Sequence, residues 1–237
     1  MSRMLKNSGK LNINDNIVME LVMPLIIYYV IHNGWVIAGL SVLELEISSG
    51  KYIFLNEKIL FLLQTFIKMS GMVIGGLSVY PYFKRQKAVE MKKGLSLKEG
   101  VALVFIGAVL ALGINYILVL TGLPQNNEQY QQVAKVQFAL PLWLAFLFYG
   151  IISPVIEEMV FRGIVCNWLE QHMSPMVAVA GSALLFGVFH GNFVQMLYAS
   201  IMGAVLALVF QKYRNMTAPV LMHGAANVAV YFVTYFF

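Results

Sequence analysis

The stretch GVALVFIGAVLALGINYILVLTG, residues 100–122, contains no charged residue. As a helix it rises about 35 Å, enough to cross a hydrocarbon layer of about 30 Å. It is not isolated. Apolar stretches of similar character run at 17–40, 59–82, 139–165, 175–191, 193–212 and 216–237. Apolar residues follow one another without the alternation of a barrel strand, so the reading is all-α: a polytopic transmembrane helix bundle of about seven spans, six to eight. The spans leave no room for a soluble domain, and residues 1–237 read as a single integral-membrane domain. Across all 237 residues the chain is 59% hydrophobic and 11% charged, with a mean hydropathy of +0.75. Ordinary soluble domains are about 25% charged. Disorder, coiled coils and soluble globular folds are thereby excluded. The single cysteine, Cys166, excludes a disulfide scaffold.

Residues 1–16 are polar, and the first apolar stretch is too long for a signal-peptide core, so it reads as a retained span. Arg3, Lys6 and Lys10, the loop at 83–99 with its six basic residues, and Lys212 and Arg214 all fall on one side of a seven-span bundle. Positive charge marks the cytoplasmic side, which predicts a multi-pass protein of the cell membrane with a cytoplasmic N-terminus. The net charge of +5 is then a topology signal. Membrane lipid is the expected partner of the basic loop, and nucleic acid is not expected.

An ionisable side chain in a span is expensive and marks function unless it sits at an interface. Glu20 is close to the start of its span and reads as interfacial. His32 and Lys68 lie deeper; with no companion motif around them, a structural role is the expectation for both. The C-terminal half is richer. Ser153-Pro154-Val155-Ile156-Glu157-Glu158-Met159-Val160-Phe161-Arg162-Gly163 places two adjacent carboxylates in an apolar run. Glu158 and Arg162 are spaced i, i+4 and share a helix face. Glu157 is turned about 100° away, free for acid–base chemistry. Pro154 is expected to loosen the helix just before the pair. The bland alternative is a salt-bridged cap at the cytoplasmic end.

Two further segments weigh against a cap. Phe186-Gly187-Val188-Phe189-His190 puts an imidazole after an apolar run, and His223-Gly224-Ala225-Ala226-Asn227 puts an imidazole and a carboxamide on one face. The intervening small residues let helices approach closely. A carboxylate, two imidazoles and a carboxamide can activate a water and stabilise an oxyanion. Glu157, His190 and His223 could equally hold a divalent metal such as zinc. No Ser or Cys has a base at motif spacing, and Cys166 reads as packing, so water is the expected nucleophile.

These segments resemble the signature of the CPBP family of membrane proteins, which comprises CAAX-type prenyl endopeptidases and the bacteriocin-processing or bacteriocin-immunity (Abi) proteins. The pattern is Glu-Glu-x-x-x-Arg, Phe-x-x-x-His and His-x-x-x-Asn, here Glu157-Glu158…Arg162, Phe186…His190 and His223…Asn227 in the same order. The resemblance covers residues 141–237, the expected catalytic core. It implies an intramembrane endopeptidase in which Glu157 activates a water, His190 orients that water or ligates a metal, and His223 and Asn227 polarise the scissile carbonyl. Glu158 and Arg162 would support them. The implied substrate is a membrane-associated peptide or protein, whether a lipidated C-terminus, a bacteriocin precursor or a membrane protein. A non-catalytic immunity or scaffold protein with the same fold is the alternative reading, and a small transporter a third. One depth mismatch stands against convergence. Glu157 and His223 fall about 9 Å from the cytoplasmic ends of their predicted spans, whereas His190 falls about 22 Å in if its span starts at 175.

Overall fold

The computed structural model describes residues 17–50, 56–86 and 94–236. Most of the basic residues that set the expected orientation lie outside these segments. Among the described residues eight helices follow in order: α1 (Ile17–Ser48), α2 (Glu57–Arg85), α3 (Leu97–Leu120), α4 (Glu128–Phe138), α5 (Leu142–His172), α6 (Pro175–Val188), α7 (Phe193–Tyr213) and α8 (Thr217–Phe236). Among the described residues there is no strand. α1, α2, α3, α5 and α7 are long and apolar enough to cross a membrane. α6 is apolar but shorter. α8 is long enough, but His223 and Asn227 lower its hydropathy. The seven apolar helices match the seven predicted stretches, and the all-α membrane bundle is the observed fold.

Local chemistry sets where several helices begin. Asn56, Asn127 and Asn192 each accept a hydrogen bond from the backbone N–H three residues on. Ser96 and Glu99 form a reciprocal capping box that opens α3. Ser174 caps α6, whose first residue is Pro175, where a missing N–H costs nothing.

The main helix pairs are α1 on α2 and α6 on α7, which run antiparallel, and α3 on α8, which run parallel, with Leu103 near Ala218 and Met222 and Ala111 near Ala226. α5 is the central element and touches α1, α2, α6, α7 and α8. Half of its most apolar window is buried, against 17% for α1. The outer helices turn large apolar side chains outward, among them Phe105 (69% exposed) and Leu120 (67%) on α3. In water such a surface would be a liability; in lipid it is solvated.

Two features of α5 position the site. First, its turns widen to π geometry at Phe146–Ile152 and Met159–Cys166, on either side of Ser153–Glu158. The first wide turn immediately precedes Pro154, which has no N–H to donate and crowds the preceding turn. This is the expected loosening. Second, α5 continues to His172 rather than ending at 165. Glu157 then lies about 22 Å from the end of α5, and His190 lies about 22 Å from the start of α6, which follows after a two-residue turn. The two are level. The predicted start of the fifth span holds, and the depth mismatch came from the end of the fourth. Arg162 lies ten residues before that end and is fully buried, so the carboxylate pair is not a terminal cap.

Candidate active site

α5 contributes two adjacent carboxylates in different surroundings. The Glu158 side chain is fully buried and pairs with Arg162 Nη1 at 3.0 Å. Arg162 is itself inaccessible; its Nη2 donates to the Gly203 carbonyl of α7 at 2.9 Å, and the guanidinium lies 4.6 Å from the Phe186 ring centre. The pair thus ties α5 to α6 and α7. Glu157, one residue earlier, faces open space. Its Oε1 accepts a hydrogen bond from Ser153 Oγ at 2.5 Å, one turn back on the same face.

α8 brings His223 between the two carboxylates. Nδ1 lies 2.8 Å from Glu158 Oε1, and Nε2 lies 3.6 Å from Glu157 Oε2. A charged carboxylate only accepts, so Nδ1 donates to Glu158 and Nε2 is the atom turned toward Glu157. Asn227, one turn on, donates to the Tyr149 carbonyl at 3.0 Å, which leaves its second N–H unused by that bond. This seating depends on close backbone approach. A Cβ on Gly224 would stand 2.2 Å from the Gly150 carbonyl oxygen, so only glycine lets α8 lie so near α5.

His190 comes from the end of α6. Its Nδ1 is 2.8 Å from the Phe186 carbonyl oxygen. The carbonyl accepts, so Nδ1 carries the proton and Nε2 presents a lone pair. Gly191 follows with a φ of 77°, a left-handed turn that reverses the chain into α7.

Glu157, His190, His223 and Asn227 all line one cavity of about 270 Å³, together with Ser153 and Tyr149. The four residues singled out in the sequence therefore meet. The far wall of this polar cavity carries Asn115, Tyr130, Gln137 and Gln195. Burial raises the Tyr130 phenol above its ordinary value, so it stays a neutral hydroxyl at physiological pH. A second cavity, of about 390 Å³, lies on the α1 side and shares Tyr149, Ser153, Glu157 and His190 with the first.

The metal expectation fares differently. Among the described residues no three His, Cys, Asp or Glu side chains come together as a ligand set. His223 has one ring nitrogen committed to Glu158. That bond leaves Nε2 of His223 open, as in many metal-bound histidines; it is the spacing of Glu157, His190 and His223 as placed that does not form a ligand set, and no step below runs through a metal.

Three participants were not recognised from sequence. Ser153 touches Glu157 from i−4, a spacing visible in the motif stretch itself, although at 5% exposure it is too enclosed to read as a nucleophile. Tyr149 offers only its carbonyl, which no side-chain pattern reveals. His32, expected to be structural, lines the second cavity beside Glu157, whereas Lys68 lines a separate pocket with Glu44 and Gln64. Glu20 accepts from Trp168 Nε1 at 3.2 Å near the end of α5, in keeping with an interfacial position.

Comparison with known proteins adds to this geometry. The family described as Type II CAAX prenyl endopeptidase Rce1-like matches residues 139–229. A protein of Bacillus subtilis (strain 168), YdiL, whose name describes a membrane peptidase, is 26% identical over 140 residues, covering 58% of this chain and 56% of that one. The UPF0177 protein YbdI of Lactococcus lactis subsp. lactis (strain IL1403) is 24% identical over 176 residues, covering 73% of this chain and 91% of that one. The chain thus spans little more than half the length of the Bacillus relative. No solved structure matches it. The matched stretch holds all three motifs whose side chains converge on Glu157, and over residues 139–229 the similarity supports a protein of the CPBP type.

Proposed function

We propose that this protein is an intramembrane endopeptidase that hydrolyses a peptide bond in a membrane-associated peptide or protein. The observation that carries the reading is the setting of Glu157. One carboxylate oxygen is held by Ser153 at 2.5 Å, the other faces His223 Nε2 at 3.6 Å, and the group opens into the cavity that His190 and Asn227 also line. In this reading Glu157 takes a proton from a water while the water oxygen attacks the scissile carbonyl carbon. The carbonyl π electrons move to oxygen. Collapse of the tetrahedral intermediate breaks the C–N bond, and Glu157 returns the proton to the leaving nitrogen.

The neighbouring groups have matching roles. His190 Nε2 accepts a hydrogen bond from the attacking water and fixes its direction. Asn227 offers its second N–H to the oxyanion. His223 is held at Nδ1 by Glu158 and turns Nε2 toward Glu157 and the cavity. Glu158 and Arg162 hold His223 and act through it. Low water content strengthens each of these interactions. Basic residues 3, 6 and 10 support a cytoplasmic N-terminus in the cell membrane. Prenylated C-termini and bacteriocin precursors are the substrate classes to test first.

The test is proteolysis by the purified protein in lipid nanodiscs, read by mass spectrometry against both peptide classes, with Glu157→Ala in parallel and a chelator arm to read metal dependence directly. Cleavage by the wild type and none by a folded Glu157→Ala supports the reading. Equal cleavage by both sinks the assignment of Glu157. A wild type that cleaves no member of either class favours the immunity or scaffold reading.

A further inference from the structure

We propose that the second cavity beside Glu157 is a substrate subsite that takes an uncharged, apolar residue next to the scissile bond, with His32 hydrogen-bonding the main chain of that residue. The inference rests on the peptidase reading and adds to it the class of residue selected and a positioning group outside the three motifs.

The cavity measures about 390 Å³, within the range of about 300–1,000 Å³ typical of binding sites. It shares Glu157 and His190 with the polar cavity. An extended chain that occupies both must therefore cross the Glu157 carboxylate. The two spaces differ in chemistry. Much of the wall of the second is apolar or aromatic, from Tyr28, Tyr29, Met72, Phe148 and Phe189. Among the described residues neither cavity is lined by a Lys, Arg or Asp, and Glu157 is the only acid in either. An acidic side chain in the aromatic cavity would lose its hydration and meet the like charge of Glu157, and a basic one would tie up that carboxylate, whereas an aliphatic or aromatic one gains by burial.

His32 is the exception in this wall. Its ring stands edge-on to Tyr28 at 5.8 Å, and it makes no side-chain hydrogen bond to any described residue. A half-buried imidazole without a partner in a membrane span is expensive to keep. A peptide N–H or C=O in the cavity would supply that partner. Asn33 beside it donates to the Tyr29 carbonyl at 2.8 Å, and its side-chain oxygen is left to accept. Both residues belong to α1, outside the stretch shared with the endopeptidase family at 139–229. The core chemistry and this selection are thus carried by different parts of the chain.

The test uses the full-length Glu157→Gln protein in nanodiscs and two short fluorescent peptides, uncharged at their termini, one with Leu-Leu at its centre and one with Asp-Asp. Binding is read by anisotropy. The Leu-Leu peptide is expected to bind at least about tenfold more tightly. Adding His32→Ala weakens it by about tenfold, the worth of one hydrogen bond. Adding His32→Asn, which keeps a hydrogen-bonding group, restores most of that loss, and adding Asn33→Trp, which fills the cavity, abolishes binding. Equal affinity for the two peptides, no binding of either, or affinity indifferent to both the His32→Ala and Asn33→Trp changes overturns the inference. Cleavage of the Leu-Leu peptide by the Glu157 wild type is read separately, so a failed peptidase and a failed subsite give different results.

Discussion

Gly224→Ala is the sharpest probe of how the site is assembled. The change adds one methyl group, keeps every polar residue and favours helix. By propensity alone it would stabilise α8 by about 1 kcal/mol. The packing says the opposite. The added Cβ would meet the Gly150 carbonyl oxygen at 2.2 Å, where ordinary contact begins at 3.4 Å. The obstacle is backbone, which cannot rotate away, so α8 must retreat from α5 by about 1 Å or the two helices must twist apart. His223 precedes Gly224 directly and Asn227 lies on the next turn, so both would be carried off Glu157 and the Tyr149 carbonyl. A misplacement of about 1 Å can lower a rate about 10²-fold. We expect kcat/KM to fall by about that factor, with a melting temperature several degrees lower in nanodiscs. Gly113→Ala is the control: nothing lies within 4 Å of the added Cβ, and rate and stability should match the wild type. A Gly224→Ala protein with wild-type rate and melting temperature would refute the close-approach argument and, with it, the placement of His223 between the two glutamates.

Three other substitutions test separate parts of the site. Ser153→Ala removes one hydrogen bond from Glu157 and should lower kcat about fivefold to tenfold with little change in melting temperature; an unchanged kcat removes Ser153 from the reaction. Asn227→Ala takes away the proposed oxyanion donor and should lower kcat by about 10²–10³-fold while KM moves little; a change confined to KM would make Asn227 a binding residue instead. Arg162→Met strands the Glu158 charge in a fully buried position and should destabilise the fold by about 3–5 kcal/mol, with Glu158→Gln/Arg162→Met recovering most of it. Thermal denaturation reads this, and an Arg162→Met protein as stable as the wild type would show that the pair does not hold the core.

The parts of this structure that were legible in the sequence are those fixed by local pattern. Continuous apolarity gave seven helices, and i, i+4 spacing gave the Glu158–Arg162 pair and the shared face of His223 and Asn227. Errors fell where local polarity misleads. Asn167, Glu170, Gln171 and His172 end the apolar run after Cys166, yet the helix continues through them, because backbone geometry does not require apolar side chains at an interface. The better stop signal was Ser174-Pro175, an N-cap followed by proline at the first helical position. α1 likewise runs past Glu44 and Glu46 to Ser48. Contacts between helices were not legible. His32 had no companion motif because its companion, Glu157, is 125 positions away, and proximity across such a distance is set by packing, not by pattern. The possible metal-ligand set is of the same kind: the residue types suit zinc, but whether three such side chains gather is set by packing, and among the described residues none do.

The adjacency of Glu157 and Glu158 explains why so small a motif can support a site in lipid. A single ionised carboxylate in a helix bundle faces a conflict. It needs a counter-charge to be tolerated, and a counter-charge in direct contact would make it a poor base. Consecutive residues on a helix point about 100° apart, so one step along α5 separates the two demands. Glu158 faces the core and takes Arg162 in full. Glu157 faces the cavities and has neutral Ser153 as its close hydrogen-bond donor. His223 spans the angle between them and touches both carboxylates, so the charge balance on the Glu158 side reaches Glu157 through an imidazole and not through a salt bridge. The order of the pair therefore matters. Removing the first acid, as in Glu157→Gln, should leave the buried network whole and stop the chemistry, whereas Glu158→Gln should leave Glu157 in place and loosen His223 and Arg162 together. A pH–rate profile of the residual activity separates the two. If Glu158→Gln keeps the wild-type profile, His223 does not couple the carboxylates, and the division of labour between them is wrong.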